Sequence, residues 1–195
     1  IQQSILQLSQ TTISITTDFK KQLLHCYHEL HTDMSTTQLA KISEITILQA
    51  LFKHPSKKQP LFFVANSLPI RILNHFITPT THSIIYSNRG VSGIDGNLAT
   101  AIGLAQATNT ELVLIIGDIS FLYDSTSLMM IQHLTVPIKI CLLNNHGGQI
   151  FNTLPAKQYL SSLDPFFTTP HQLSMEHICK QFKLDYKLIR DSDTH

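Results

Sequence analysis

Asp118 and Asn145 are the residues whose types and spacing point most directly to chemistry. Each follows an apolar run: Gly117-Asp118 comes after Leu112 to Ile116, and Asn144-Asn145-His146-Gly147-Gly148 comes after Ile138 to Leu143. A carboxylate is a hard anionic oxygen ligand and a carboxamide a neutral one. With a backbone carbonyl from the Gly147-Gly148 turn they could fill three positions of an octahedral magnesium, leaving the others to phosphate oxygens and water. A helix starting near Ser120 would aim its first amides at the same place, which favours an anion. A diphosphate bridged by magnesium satisfies both demands. The plainer alternative, a helix cap at Asp118 and a turn at Asn144-Asn145, explains each cluster alone but not the pairing of the two behind adjacent strands.

The elements that must position these groups follow from periodicity. Apolar runs at Leu61 to Ala65, Ser83 to Tyr86, Leu112 to Ile116 and Ile138 to Leu143 predict buried strands, separated by helices near Leu68 to Phe76, Leu98 to Ala107 and Ser120 to Leu134. This alternation predicts βαβ units, hence an α/β fold with a parallel sheet covered by helices on both faces. In such a sheet ligands bind beyond the carboxyl ends of the strands, where both clusters sit. A last helix, Met175 to Phe182 behind a Ser174 cap, leads to an edge strand at Tyr186 to Ile189. Upstream, Asp18 to His31 reads as a polar helix, and Ser35-Thr36-Thr37-Gln38 as a capping box opening a helix with Leu39, Ile42, Ile45 and Leu48 on one face. The turn His54 to Pro60 ends that helix. Residues 1–34 do not join the alternation and read as the end of a preceding middle domain or a linker, with the cofactor domain over 35–195. All seven glycines lie between Gly90 and Gly148, so tight turns and close backbone approaches are concentrated there.

Composition narrows the function. The 195 residues carry a formal net charge of +1 with 14% charged residues, so no broad field argues for nucleic acid or a cationic partner. Small-molecule chemistry becomes the expectation. Cys26, Cys141 and Cys179 are odd in number and unpaired by any CxxC spacing, which suits a reducing compartment. No apolar run reaches the roughly 18 to 20 residues of a membrane span. The start, Ile1-Gln2-Gln3-Ser4, has neither Met nor a signal-like basic segment, and the chain reads as a soluble piece of a longer one.

Four stretches in order carry a resemblance: Asn66 to Arg71 (NSLPIR), Ser87 to Gly96 (SNRGVSGIDG), Gly117 to Ser120 (GDIS) and Asn144 to Phe151 (NNHGGQIF). Gly117-Asp118 and Asn144-Asn145 resemble the thiamine diphosphate signature of enzymes such as pyruvate decarboxylase and acetolactate synthase, although Ile119-Ser120 stands where the general pattern has Gly. Together the four stretches resemble the 2-succinyl-5-enolpyruvyl-6-hydroxy-3-cyclohexene-1-carboxylate synthases of menaquinone and phylloquinone biosynthesis. The resemblance implies a thiamine diphosphate-binding fold, with thiamine diphosphate and Mg2+ as cofactors. It implies metal ligands at Asp118, Asn145 and the carbonyl of Gly147, and cofactor contacts from Ile94, Gly117, Ser120, Asn145, Ile150 and Phe151. Ile94 would lie beneath the bent cofactor. Ser67, Arg71 and Arg89 would contact substrate.

The family decarboxylates 2-oxoglutarate and adds the resulting succinyl carbanion equivalent to isochorismate, two polycarboxylates that guanidinium groups can grip. It also needs a glutamate that protonates the pyrimidine ring, supplied by an N-terminal pyrimidine-binding domain of another subunit. Glu29, Glu44, Glu111 and Glu176 do not match that context, so no catalytic residue is expected in this chain and the piece alone is expected to be inactive. A homodimeric or homotetrameric parent is implied, cytoplasmic or in the plastid stroma, with no nucleic-acid partner.

Other readings lead elsewhere. One is a different thiamine diphosphate-dependent 2-oxoacid decarboxylase or ligase. Gly90 to Gly96 sits between a strand and a helix as in a nicotinamide-binding Rossmann unit, but its spacing is GxxGxxG, and that reading leaves Asn145 and Gly147-Gly148 without a task. A noncatalytic domain of the same fold would have no reason to keep the ligand set. His25, His28 and His31 share a helix face without a fourth ligand, and read as a solvated surface.

Overall fold

In the computed structural model, described here for residues 43–53, 60–77, 83–159 and 164–189, four parallel strands form one sheet in the order β2-β1-β3-β4. The strands are β1 (Leu61–Val64), β2 (Ile85–Tyr86), β3 (Leu112–Gly117) and β4 (Ile138–Leu143). The helices are α1 (Glu44–Lys53), α2 (Leu68–Phe76), α3 (Asn97–Thr108), α4 (Asp118–Tyr123), α5 (Asp164–Phe167) and α6 (Met175–Gln181), with 3-10 turns at Ser125–His133, Gln149–Thr153 and Pro155–Tyr159. All described residues belong to the second of two compact units, Leu39–His195. The expected polar helix at 18–31, the Ser35 capping box, the three-histidine face, the domain end at 1–34 and nearly all of the turn at 54–60 lie outside the described residues.

Side chains of β1 and β3 alternate between two cores. Leu61, Phe63, Leu112, Leu114 and Ile116 pack with α3, Phe121, Leu128 and Met175. Phe62, Val64, Val113 and Ile115 pack with Leu48 and Phe52 of α1 and Ile72 and Leu73 of α2. Strands buried on both faces require continuous apolar runs, which is why β1 reads Leu-Phe-Phe-Val and β3 Leu-Val-Leu-Ile-Ile. Phe63, at 1% exposure, and its fully buried neighbours each stabilise the fold by about 1.5–3 kcal/mol. Parallel pairing runs from Leu112↔Ile138 to Gly117↔Leu143, so Asp118 and Asn144-Asn145 emerge side by side just past the last paired residues.

Two expectations are corrected. The helix expected over Ser120 to Leu134 is instead the short α4 followed by the 3-10 segment Ser125–His133. The break is at Asp124: its Oδ2 accepts from the Ala99 amide at 2.8 Å, capping α3 from outside, while Oδ1 takes the Ser127 hydroxyl at 2.6 Å. The Ser127 bond is of the local kind that competes with helix propagation, and the Ala99 bond, 25 residues away in sequence, holds Asp124 at the break. The strand expected at Tyr186 to Ile189 is absent. The left-handed Lys183 (φ 56°) turns the chain after α6, and residues 183–189 line a cleft of about 1080 Å³ together with β4 instead of pairing with it.

Upstream of the sheet, α1 starts at Glu44 with a reciprocal cap between Ser43 and Thr46. The Thr46 amide donates to Ser43 Oγ at 3.1 Å and the Ser43 amide to Thr46 Oγ1 at 2.8 Å. This places Glu44 in the first turn, while Leu48 and Phe52 fix the helix against the sheet.

Candidate functional site

Beyond the carboxyl ends of the strands lie two polar clusters. The first staples the 88–96 loop. Asn66, fully buried after β1, donates through Nδ2 to the carbonyls of Asn88 (2.9 Å) and Gly93 (2.7 Å). Buried Asn97 donates to Gly93 O at 3.3 Å and Ser120 Oγ at 3.3 Å, and the Ser120 hydroxyl donates to Ile94 O at 2.6 Å. Ser120 and Ile94, expected to touch cofactor, are thus bonded to each other at the loop's base. Asn66 opens the NSLPIR stretch but carries no expected role there, and Asn97 is not among the expected site residues, since nothing in the sequence marks an asparagine as a loop staple.

The second cluster joins the ends of β3 and β4. Asp118, 2% exposed, accepts the Gly147 amide on Oδ2 at 2.8 Å and its neighbour's amide, Ile119 N, on Oδ1 at 2.9 Å. His171 Nε2 lies 3.0 Å from the same Oδ2. The Leu173 amide donates to His171 Nδ1 at 3.2 Å, so Nδ1 is unprotonated and the proton is on Nε2, where it is donated to Asp118. Of the roughly four acceptor directions of a carboxylate, three are filled, and the open one belongs to Oδ1.

Asn145 donates through Nδ2 to Glu44 Oε1 at 2.6 Å. A carboxylate only accepts, so the amide nitrogen faces Glu44 and Oδ1 faces away. Burial pushes the Glu44 carboxyl above its ordinary value, the Asn145 hydrogen bond pulls it back, and the nearby Asp118 charge adds to the rise. Glu44 therefore senses both strand-end side chains, a position the sequence did not suggest.

Glycines fit the crowding here. Gly147 has φ +144°, and a Cβ there would lie 2.5 Å from Thr168 O. The Gly148 amide donates to Thr168 O at 2.6 Å, seating the turn on the segment that carries His171. Gly147 O accepts from the Gln149 amide at 2.9 Å, which leaves one of its lone pairs. Gly117 is the extended residue (φ −77°, ψ 160°) at the start of α4. Ile150 and Phe151 are half-buried in the following 3-10 turn, and Phe151 meets Phe167 edge-on at 5.6 Å.

Ser67 adopts φ 75°, ψ −132°, a positive-φ backbone conformation unusual for serine, directly after Asn66. Its carbonyl accepts from Arg71 Nη1 at 2.8 Å. Arg71 and Arg89 are exposed, at the first turn of α2 and in the loop after β2. Nothing links either guanidinium to the Asp118 cluster.

Three buried side-chain polar atoms among the described residues have no hydrogen-bond partner: Asn66 Oδ1, Ser87 Oγ and Asn145 Oδ1. All three lie beyond the carboxyl ends of β1, β2 and β4. Buried polar atoms are paired in the great majority of cases, so orphans gathered at one end of a parallel sheet point to a ligand there. No group of three or more His, Cys, Asp or Glu side chains converges among the described residues. A cation here would have to be met by mixed oxygens: one carboxylate, one amide and one backbone carbonyl.

A parallel sheet with this strand-end chemistry defines a class that sequence comparison identifies. Residues 68–193 match the thiamine pyrophosphate enzyme family, C-terminal TPP binding domain, and the chain belongs to that family. Within it, the chain is similar to 2-succinyl-5-enolpyruvyl-6-hydroxy-3-cyclohexene-1-carboxylate synthases. The protein of that name from a Roseiflexus species is 44% identical over 133 residues, covering 67% of this chain and 23% of the relative. A Synechocystis protein of the same name is 34% identical over 173 residues, covering 87% of this chain and 29% of the relative. The chain thus spans about a quarter of the length of these curated relatives. Benzoylformate decarboxylase from Polynucleobacter necessarius shares the fold, with a TM-score of 0.59 at 17% identity over 75% of this chain and 28% of that one. No helix among the described residues is long and apolar enough to cross a membrane.

Proposed function

We propose that the chain is the diphosphate-anchoring part of a 2-succinyl-5-enolpyruvyl-6-hydroxy-3-cyclohexene-1-carboxylate synthase. The whole protein would decarboxylate 2-oxoglutarate and join the remaining succinyl unit to isochorismate, in the cytoplasm or plastid stroma. The observation that carries the site is the orphaned Asn145 Oδ1 just past the end of β4, together with an Asp118 carboxylate with one acceptor direction open just past the end of the paired β3. Asp118, Asn145 through Oδ1 and the carbonyl of Gly147 would hold Mg2+, a hard cation that takes oxygen ligands and keeps several positions for phosphate and water. When bound, thiamine diphosphate supplies the electron sink for breaking the bond between the 2-oxo carbon and its carboxylate.

The chain's own residues bind and orient. His171 and the Gly147 amide keep the Asp118 carboxylate in one rotamer. Asn97 and Ser120 hold the loop bearing Ile94, the residue assigned to support the cofactor rings. Gly117, Ile150 and Phe151 would complete the cofactor pocket. Ser67, Arg71 and Arg89 would meet the substrates, the two exposed guanidiniums pairing with carboxylates. The glutamate that protonates the pyrimidine would come from a pyrimidine-binding domain of another subunit, which makes the parent a homodimer or homotetramer and the isolated chain inactive.

The test is product formation from 2-oxoglutarate and isochorismate with thiamine diphosphate and Mg2+. The full protein should release CO2 and form the succinylated cyclohexene product, and the 195-residue chain alone should form none. Turnover of 2-oxoglutarate by the full protein without isochorismate addition would point to a different 2-oxoacid decarboxylase, and activity of the chain alone would refute the division of labour.

A further inference from the structure

Glu44 lies outside the strand-end motifs, 101 residues from Asn145 in sequence, yet its carboxylate takes the Asn145 amide at 2.6 Å, one of the shortest polar contacts in the site. An asparagine amide has two nearly isosteric ends, and a cation needs the oxygen end. Nothing else bonds the Asn145 side chain: Oδ1 is buried and without a partner. Its orientation is therefore decided at the nitrogen end, by Glu44. We infer that Glu44 is a positioning residue for the metal site, holding the Asn145 carboxamide so that Oδ1 is presented to the cation. The inference rests on the proposed cation site and adds a residue to it.

The placement of Glu44 is built in from below. The Ser43–Thr46 cap fixes the first turn of α1, and Leu48 and Phe52, at 0% and 4% exposure, lock the helix onto the sheet face shared with Val113 and Ile115. A side chain in that first turn reaches Asn145, just past the end of β4. The arrangement parallels the one on Asp118, where His171 bonds the carboxylate at 3.0 Å. Outer partners of metal ligands commonly alter metal affinity by about 10- to 100-fold when removed.

The experiment is calorimetric titration of Mg2+ into the full protein in the presence of saturating thiamine diphosphate, for wild type, Glu44→Leu, Glu44→Gln and Asp118→Ala. Glu44→Leu should raise the Mg2+ needed for half-saturation about tenfold or more, leaving the metal-free melting temperature within a few degrees. Glu44→Gln, which keeps an acceptor at the same reach, should recover most of the affinity, a rescue that a merely charge-based role would not allow. In an Asn145→Ala background, Glu44→Leu should cost nothing further. If Glu44→Leu fails to fold, Glu44→Asp retains the charge, shortens the reach and should weaken Mg2+ in the same direction. Unchanged Mg2+ affinity in Glu44→Leu, or in Glu44→Asp where Leu is unfolded, overturns the inference while Asp118→Ala still loses the metal. Unchanged affinity in Asp118→Ala overturns the proposed site itself.

Discussion

Asn66 and Asn145 occupy equivalent places, each just past the end of a strand, and each leaves a buried Oδ1 without a partner. Their other ends differ. Asn66 donates to two backbone carbonyls, Asn88 O and Gly93 O, and so pins a loop to the sheet. Asn145 donates to a side chain, Glu44 Oε1, and pins nothing but itself. One residue type thus serves the architecture in the first case and, in the function proposed, the ligand site in the second. The difference lies in whether the amide spends its hydrogens on backbone, which the fold needs, or on a side chain that only orients it.

The largest expected effect is on the second side of that contrast. Asp118→Ala should abolish Mg2+-dependent thiamine diphosphate binding by the full protein while circular dichroism still reports a folded sheet; binding as tight as wild type would remove the strand-end assignment. Asn66→Ala should cost about 2–4 kcal/mol in urea unfolding, because Asn88 O is left without this donor at about 1–3 kcal/mol and Gly93 O, still held by Asn97, loses one hydrogen bond of about 1 kcal/mol. Asn145→Ala should change metal-free stability by less than about 1 kcal/mol and Mg2+ affinity strongly. Equal stability losses in the two variants would erase the distinction.

Cys141, on the strand leading to Asn145, tests how dry that end of the sheet is. Burial pushes its thiol up to about 11 from an ordinary 9.0. A raised thiol value means the folded state favours the neutral form, so the associated stability is complete below pH 9.0 and is lost as pH rises through about 11. At pH 8 alkylation of Cys141 should be about 100-fold slower in the folded protein than in urea, as thiolate fraction dictates, and mass spectrometry of the labelled peptide reads it. Equal rates would mean an open strand end. The smallest effect belongs to Arg89→Ala, about 1.5 kcal/mol in kcat/KM for the carboxylate substrates, the low end for a charged hydrogen bond because the side chain is exposed. Its thiamine diphosphate affinity should not move; a loss of cofactor affinity instead would assign Arg89 to the cofactor.

Legibility in the sequence followed the range of the interaction. Leu112–Gly117 was readable because a strand buried on both faces must be a continuous apolar run, Ile138–Leu143 because apolar residues dominate this edge strand around the exposed Lys139, and Asp118 and Asn145 because they closely follow those runs. The helix after β3 was misread because Asp124 bonds Ala99 N, a partner no local pattern reveals. Tyr186 to Ile189 have strand composition, but pairing depends on whether the chain after Lys183 is brought against β4, and it is not. Glu44 and His171 escaped for the same reason: they reach the site from 101 and 53 residues away, and only packing of α1 and of the 167–173 segment brings them in.

The most direct measurement is a crystal structure of the full protein with Mg2+ and thiamine diphosphate bound. A cation should lie about 2.0–2.1 Å from an Asp118 carboxylate oxygen, Asn145 Oδ1 and the Gly147 carbonyl, with the Asn145 nitrogen still on Glu44. A cation bound elsewhere, or an Asn145 side chain turned away from it, would rule out the proposed metal site.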